Sequence, residues 1–374
     1  MPQGPEARAQ AHIPALDGLR AIAILLVIPH NADIFSNSAA WLWPVALLAH
    51  AGWIGVQLFF VLSGFLITRN LLAARGNDHY LRSFYVRRAL RIFPLYFLTL
   101  FVGLVLLPRF IEFSPGALSS HQNQIWLWTF LSNWAQPYGH EVSGFSHFWS
   151  LAVEEQFYLV WPFVVLMAAG TRLFWICLLV ALLALLSRVV MMQAGARPEM
   201  LYMFTNCRMD ALALGAAAAV VSLSAPAMAW LAGHVRWLMF GIVAVMLVAA
   251  IGTHTFAVYD PRTLLLGHSL LAAAFALLMP CVMLELPGGF RFLQRALEMP
   301  WMRQIGRYSF AMYVLHMPIL LVFGRAIRDG VAVTGSAAPL VYTLIVVLLS
   351  FLAGLLSYHL LEKHFLRLKS VLAR

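Results

Sequence analysis

The chain has 374 residues, of which 62% are hydrophobic and only 11% charged. That composition excludes a soluble globular domain and fits a polytopic helical membrane protein, an all-α bundle with little chain left over for a soluble part. A formal net charge of +10 would suggest nucleic acid in a soluble protein, but in a membrane protein Lys and Arg set orientation and meet anionic lipids or ligands, so no nucleic acid is expected.

Residues 1–12 read as a short polar tail. The first apolar run has no small-residue cleavage site after it, so it reads as an uncleaved span and not a signal peptide. Apolar runs of span length lie near 17–35, 51–72, 92–107, 149–169, 172–191, 206–224, 236–252, 262–284, 305–327 and 338–361, about ten transmembrane helices in one bundle. The stretch 124–136, QIWLWTFLSNWAQ, is too short and polar to cross, and its tryptophans suit an interfacial or re-entrant helix.

Charge orients the spans. Arg75, Arg82, Arg87, Arg88 and Arg91 fall in a loop at 73–91, and Arg291, Arg295 and Arg303 in one at 285–304. Lys363, Arg367, Lys369 and Arg374 lie in the tail. All three segments should be cytoplasmic. They share a side only if an even number of spans separates each pair, which the ten-span count satisfies and a crossing at 124–136 breaks. Both termini are then cytoplasmic and 108–148 lies outside. Cys177, Cys207 and Cys281 sit in or beside apolar runs without ligand spacing and read as packing residues, so no metal is expected. No fixed-period repeat, Walker loop, dinucleotide fingerprint or paired-histidine zinc motif is present. The chemistry has to come from side chains inside the bundle.

In residues 13–35, IPALDGLRAIAILLVIPHNADIF, an apolar run climbs from Arg20 to His30 about three helical turns later. Ionisable residues in such a helix are expensive and read as functional, against the alternative of a snorkelling Arg and a His bonded to a neighbouring helix. In the second span Ser63-Gly64 permits close helix approach, usually a packing feature. Arg69 opens a basic stretch in which Arg87, Arg88 and Arg91 could clamp a polyphosphate, or simply orient the span and meet anionic lipid. In HFWSLAVEEQFYLVWP, residues 147–162, Glu154 and Glu155 point about 100° apart, so one at most aims at a given partner. They could equally cap a helix N-terminus or pair with a buried Arg. Arg208 and Asp210 look like an intramembrane ion pair of structural kind. His316 could be a satisfied core histidine or line a cavity.

Taken together, LDGLRAIAILLV…H, GVQLFFVLSGFLI, RRALRIFPLY, WSLAVEEQFYLVWP and SFAMYVLHMPI resemble, in order, the motifs of acyltransferase family 3, bacterial integral-membrane acyltransferases that modify surface glycans and exported metabolites. The resemblance covers about residues 14–365. It implies a ten-helix domain over 13–365 with a cytoplasmic tail at 366–374, an acyl-CoA donor, with acetyl-CoA the expected one, taken from the cytoplasm, and catalysis by His30, with a role for Arg20. Glu154 or Glu155 would orient the imidazole. Arg69, Arg87, Arg88, Arg91 and Ser63 are expected on the acyl-CoA side, and Trp149, Gln156, Tyr313 and His316 at a cavity or on the acceptor side. The family pattern places ten residues between the arginine and the histidine. Here nine separate Arg20 from His30, and Pro29 is expected to kink the helix and restore the histidine's direction.

The reading that follows is an O-acyltransferase of the bacterial cytoplasmic (inner) membrane, multi-pass, with no permanently bound cofactor. Its acceptor would be a hydroxyl on a glycan or small metabolite, and the lipid bilayer its surroundings. Parity puts Arg20 and Arg87–Arg91 at the inner face and the Glu154 segment at the outer end. The rival is a transporter or flippase using His30, Glu154 and Glu155 as a proton relay, but the inverted repeats common in such proteins are not visible. A structural scaffold would leave His30 and the paired glutamates unexplained.

Overall fold

The computed structural model describes residues 12–35, 39–110, 123–141, 143–252, 257–284 and 289–372. Residues 1–11, the middle of the expected outer stretch and Arg374 lie outside the described residues. Among those described, the regular structure is helical and there is no strand. Among the described residues seven helical stretches are long and apolar enough to cross a membrane, or eight crossings if Pro198–Ser222 and Ala225–Gly241, bent by 103°, form one broken span. The chain is a multi-pass membrane protein. The longest stretch, Pro300–Lys369, itself contains two helices, Pro300–Val331 and Ala338–Ser357, joined by a turn where Gly335 takes φ 59° and ψ −126°.

Two expected loops prove to be largely helix. Ile54–Ala74 and Tyr80–Leu100 are separated by residues 75–79 alone, so Arg82, Arg87, Arg88 and Arg91 ride on a helix. Arginine is a good helix former, and hydropathy counts it as a loop residue only because it is charged. In the same way Arg291 and Arg295 lie on Gly289–Leu297, and Arg303 in the first turn of Pro300–Val331. The 124–136 stretch forms Gln124–Trp128 and Ser132–Ala135, five and four residues long. At 1.5 Å per residue neither can cross a bilayer.

The described chain divides into two compact units. The first holds residues up to 23, 53–78 and 156–306. Here Ile54–Ala74 packs on Thr205–Ser222 so closely that a Cβ on Gly64 would meet the backbone carbonyl of Leu212, and one on Gly215 that of Val61. Small residues let two helix backbones touch, which is how membrane helices gain contact without a hydrophobic driving force.

A sealed polar network ties these helices to their neighbours. Arg188, Arg208, Asp210, Gln57 and His268 are all fully buried. Arg188 pairs with Asp210 at 2.9 Å, and Ser269 donates to the same carboxylate at 2.7 Å. The expected pair of Arg208 with Asp210 does not form: residues two apart on a helix do not face each other. Arg208 instead donates to Gln57 Oε1 and to His268 Nδ1, each at 2.6 Å, and its guanidinium lies over the Tyr202 ring at 5.1 Å. Because an arginine only donates, His268 Nδ1 is an acceptor and its proton is on Nε2.

The second unit holds residues 24–52, 79–155 and 307 onward. Its core is aromatic: the Tyr96 ring stacks on Phe130 at 4.3 Å and on Phe148 at 4.7 Å. The Tyr96 hydroxyl donates to the Leu127 carbonyl at 2.7 Å, fixing the short helices to Tyr80–Leu100. The C-terminal helix Lys363–Leu372 packs along Tyr80–Leu100.

Candidate active site

His30 lies in the last turn of Pro14–Ala32, one residue after Pro29. The helix runs unbroken through that proline and ends three residues later, so the missing backbone donor costs little there. The imidazole is aimed by the chain that follows. After Ala32 the backbone turns back through Trp43–His50, and Gly52 comes so close that a Cβ on it would meet the Leu26 carbonyl and the His30 Cβ. That approach sets the Ala49 carbonyl 3.0 Å from His30 Nδ1. A carbonyl only accepts, so Nδ1 donates and Nε2 keeps its lone pair. The His50 backbone also lies within reach of the ring, and among the described residues no side chain hydrogen-bonds to it.

The expected carboxylate partner of His30 is not observed. Neither Glu154 nor Glu155 bonds to His30, whose orientation comes from the Ala49 backbone carbonyl instead. Glu154 Oε2 pairs with Arg88 Nη2 at 3.6 Å. Glu155, about 100° round the helix, has a buried Oε1 without a hydrogen-bond partner and feels the Arg88 charge. The Arg88–Glu154 contact also corrects the expected sidedness. Two side chains 3.6 Å apart share one depth, so Arg88 and the Glu154 segment do not lie at opposite faces. The helical run from Tyr80 explains this: it carries Arg88 roughly 12 Å from the helix start.

Around Arg88 the basic residues gather. Arg87, Arg88 and Arg91 share the Tyr80–Leu100 helix, and Lys369 of the C-terminal helix lies close enough to feel all three charges. Glu362 lies within electrostatic reach of Arg91. Sequence reasoning missed Lys369, which counted there only as a tail charge.

A third group surrounds His316, which is fully buried. Its Nδ1 donates to the Tyr313 carbonyl at 2.6 Å, which leaves Nε2 to accept from Asn31 Nδ2 at 2.8 Å. Tyr313 donates its hydroxyl to the His147 carbonyl at 2.9 Å and shares a 2.5 Å hydrogen bond with Ser150. The His147 ring sits 4.7 Å from that of His316, buried, with neither nitrogen hydrogen-bonded at good geometry. Burial first, and the neighbouring His316 second, hold His147 well below the usual histidine range, so it is neutral. Trp149 is buried in the same unit. Asn31, His147 and Ser150 were not singled out from the sequence, although His147 opens the HFWSLAVEEQ run and Asn31 follows His30.

The remaining expected residues stand elsewhere. Arg20 pairs with Asp17 one turn before it, at 3.5 Å, and ten residues of helix put about 15 Å between it and His30 along the axis. Ser63 shares a hydrogen bond with the Tyr158 hydroxyl. Arg69 is buried in the first unit, beside Met283 Sδ at 3.2 Å and the Phe65 ring at 5.6 Å. Gln156 accepts from the Thr205 hydroxyl in that unit. No group of three or more His, Cys, Asp or Glu able to hold a metal occurs among the described residues.

Comparison with known proteins shows the family. Residues 13–359 match the family model of the acyltransferase domain. YrhL of Bacillus subtilis strain 168, provisionally named a peptidoglycan O-acetyltransferase, is 31% identical over 94% of this chain and 54% of its own length. The peptidoglycan O-acetyltransferase OatA of Listeria monocytogenes is 28% identical over 83% of the chain and 50% of its own length. The O-acetyltransferase OatA of Staphylococcus aureus is 27% identical over 94% and 57%. The chain thus spans about half the length of the curated relatives it matches. No solved structure matches it.

Proposed function

The chain belongs to acyltransferase family 3, and on that premise we propose that it is an O-acyltransferase of the bacterial cytoplasmic membrane, moving an acetyl group from cytoplasmic acetyl-CoA to a glycan hydroxyl. The relatives' names favour peptidoglycan or a precursor of it as the acceptor. The observation that carries the reading is the state of His30: Nδ1–H is held by a backbone carbonyl, and among the described residues no side chain takes the lone pair on Nε2. A sugar hydroxyl is a poor nucleophile at neutral pH and needs such a base.

In the proposed reaction Nε2 takes the acceptor's hydroxyl proton as the oxygen attacks the thioester carbonyl. The C–S bond then breaks, and the departing CoA thiolate takes the proton back from the imidazolium. Arg87, Arg88, Arg91 and Lys369 hold the CoA phosphates, with guanidinium groups gripping them bidentately. Glu154 holds Arg88 in place until donor binds. Trp149, Tyr313 and His316 belong to the acceptor side. Ten spans with both termini cytoplasmic complete the proposal. Nucleophilic attack by His30, through an acyl-histidine, is the variant mechanism.

The test is acetyl transfer from labelled acetyl-CoA by membranes carrying wild type or His30→Ala. The variant should still bind acetyl-CoA and lose transfer by roughly 10²-fold or more. Near-normal transfer by a well-expressed variant would sink the reading, and a labelled protein adduct formed without acceptor would favour the nucleophile.

A further inference from the structure

The second unit contains a cavity of about 380 Å³ lined by Asn31, Leu321, Arg325, Arg328 and Tyr342 among others. We infer that this cavity binds an anionic group, carboxylate or phosphate, carried by the acceptor sugar. The size is within the roughly 300–1,000 Å³ of small-molecule sites. Arg325 and Arg328 are three residues apart on Pro300–Val331 and so share a face. None of the cavity's lining residues is a carboxylate, and among the described residues neither arginine is in an ion pair. Both side chains are exposed, as is Asp329 four residues after Arg325 on the same helix, so the arginines are open to a ligand from outside, and an anion seated between them would use their forked donors.

The rest of the wall suits a sugar. Met317, Leu320 and Leu321 offer an apolar surface for the C–H face of a ring, and Asn31 offers a polar atom for its hydroxyls, while Arg328 lies over the Tyr342 ring at 6.0 Å and is hydrogen-bonded to that side chain. Asn31 spends its amide N–H on His316, leaving its side-chain oxygen able to accept from a hydroxyl. The same residue therefore joins the cavity to the His316–His147 pair and follows His30 directly in the chain. Helix-terminus charge alone accounts for Arg328 in the last turn. It does not account for a second arginine a turn earlier in one cavity with Asn31. In the proposed orientation this end of the helix faces out, where the positive-inside bias disfavours arginine.

That the ligand is an acceptor rests on the acyl-transfer reading; that it is an anionic sugar does not, because binding can be read without turnover. The test uses the full chain in nanodiscs of phosphatidylcholine, with N-acetylmuramic acid, N-acetylglucosamine 1-phosphate and neutral N-acetylglucosamine as probes in saturation-transfer NMR titrations. At least one anionic sugar should bind about tenfold more tightly than the neutral one, the scale of one charge-assisted hydrogen bond. R325Q/R328Q, checked as monodisperse with an unchanged melting temperature, should lose that preference, and R325K/R328K should keep part of it. Equal binding of all three sugars overturns the inference, as does a preference that survives in R325Q/R328Q. Loss of the preference on adding phosphatidylglycerol to the nanodiscs also overturns it, because the cavity is then a headgroup site. His30→Ala should keep the preference. A wild-type chain that shows the preference but no acyl transfer supports the cavity and counts against the acyl-transfer reading.

Discussion

Two ionic clusters, one in each unit, use the same residue types and end in different states. Arg188 and Asp210 meet at 2.9 Å with no exposure of either side chain, and Ser269 and the Cys207 carbonyl take up further valences. Arg88 and Glu154 meet at 3.6 Å with 19% and 16% exposure, beside a buried Glu155 oxygen that has no hydrogen bond. A buried charge is tolerated when it is paired and hydrogen-bonded, and the first cluster pairs its charges at shorter range, although Arg188 Nε, Arg208 Nε and His268 Nε2 are buried there without a hydrogen bond. The second has slack: long contacts, partial access and several like charges within reach of Lys369. Networks without exposure hold helices in register, whereas partly exposed ones can be reached by a ligand.

The comparison can be broken most forcefully at Arg188. Arg188→Ala strands the Asp210 carboxylate in the interior and should cost roughly 3–5 kcal/mol of stability, read as a large fall in melting temperature and yield. Arg188→Met with Asp210→Leu should recover much of it. If Arg88→Ala destabilises as much as Arg188→Ala does, the two clusters do not differ in kind.

Next in size comes the donor side. Arg88→Ala or Arg91→Ala should weaken acetyl-CoA binding by about tenfold each while the melting temperature stays nearly unchanged, one charge-assisted contact being worth roughly 1.5–3 kcal/mol. Salt should weaken wild-type binding in the same direction. Binding indistinguishable from wild type in both variants would reduce the cluster to an orientation signal. Lys369→Gln asks the same of the C-terminal helix, and a smaller loss is expected because an ammonium grips phosphate as a point charge.

Smaller effects separate packing from chemistry around His316. Asn31→Ala removes one hydrogen bond and should cost about 0.5–1.5 kcal/mol, visible as a modest shift in melting temperature. For His147 the sign follows from its lowered pKa. Above the ordinary value of 6.5 the neutral form is present in both states, and as pH falls below it the unfolded chain takes the proton first, so stability is lost on the acid side. His147→Phe should flatten that acid limb between pH 7 and 5 in thermal melts. An unchanged limb would mean that the ring is hydrated and not sealed.

The sequence by itself determined a great deal here. Apolar runs of bilayer length dictate helices, because backbone groups in lipid must bond within their own segment. His30, Glu154 and His316 stood out because ionisable residues in such helices are costly, and Arg88 as one of a cluster of arginines expected in a loop. What only the tertiary structure decided is partnership. Asp210 pairs with Arg188 on another helix and not with Arg208 two residues away, because neighbours at that spacing diverge. His30 is aimed by the Ala49 carbonyl and not by a glutamate, because the approach of Gly52 puts that carbonyl there. The arginines of 82–91 lie on a helix that reaches Glu154, which counting charges as loop residues had placed on the other face. Hydropathy records how much each residue costs to bury. Which group repays that cost depends on how helices distant in sequence pack, and a one-dimensional pattern does not carry that geometry.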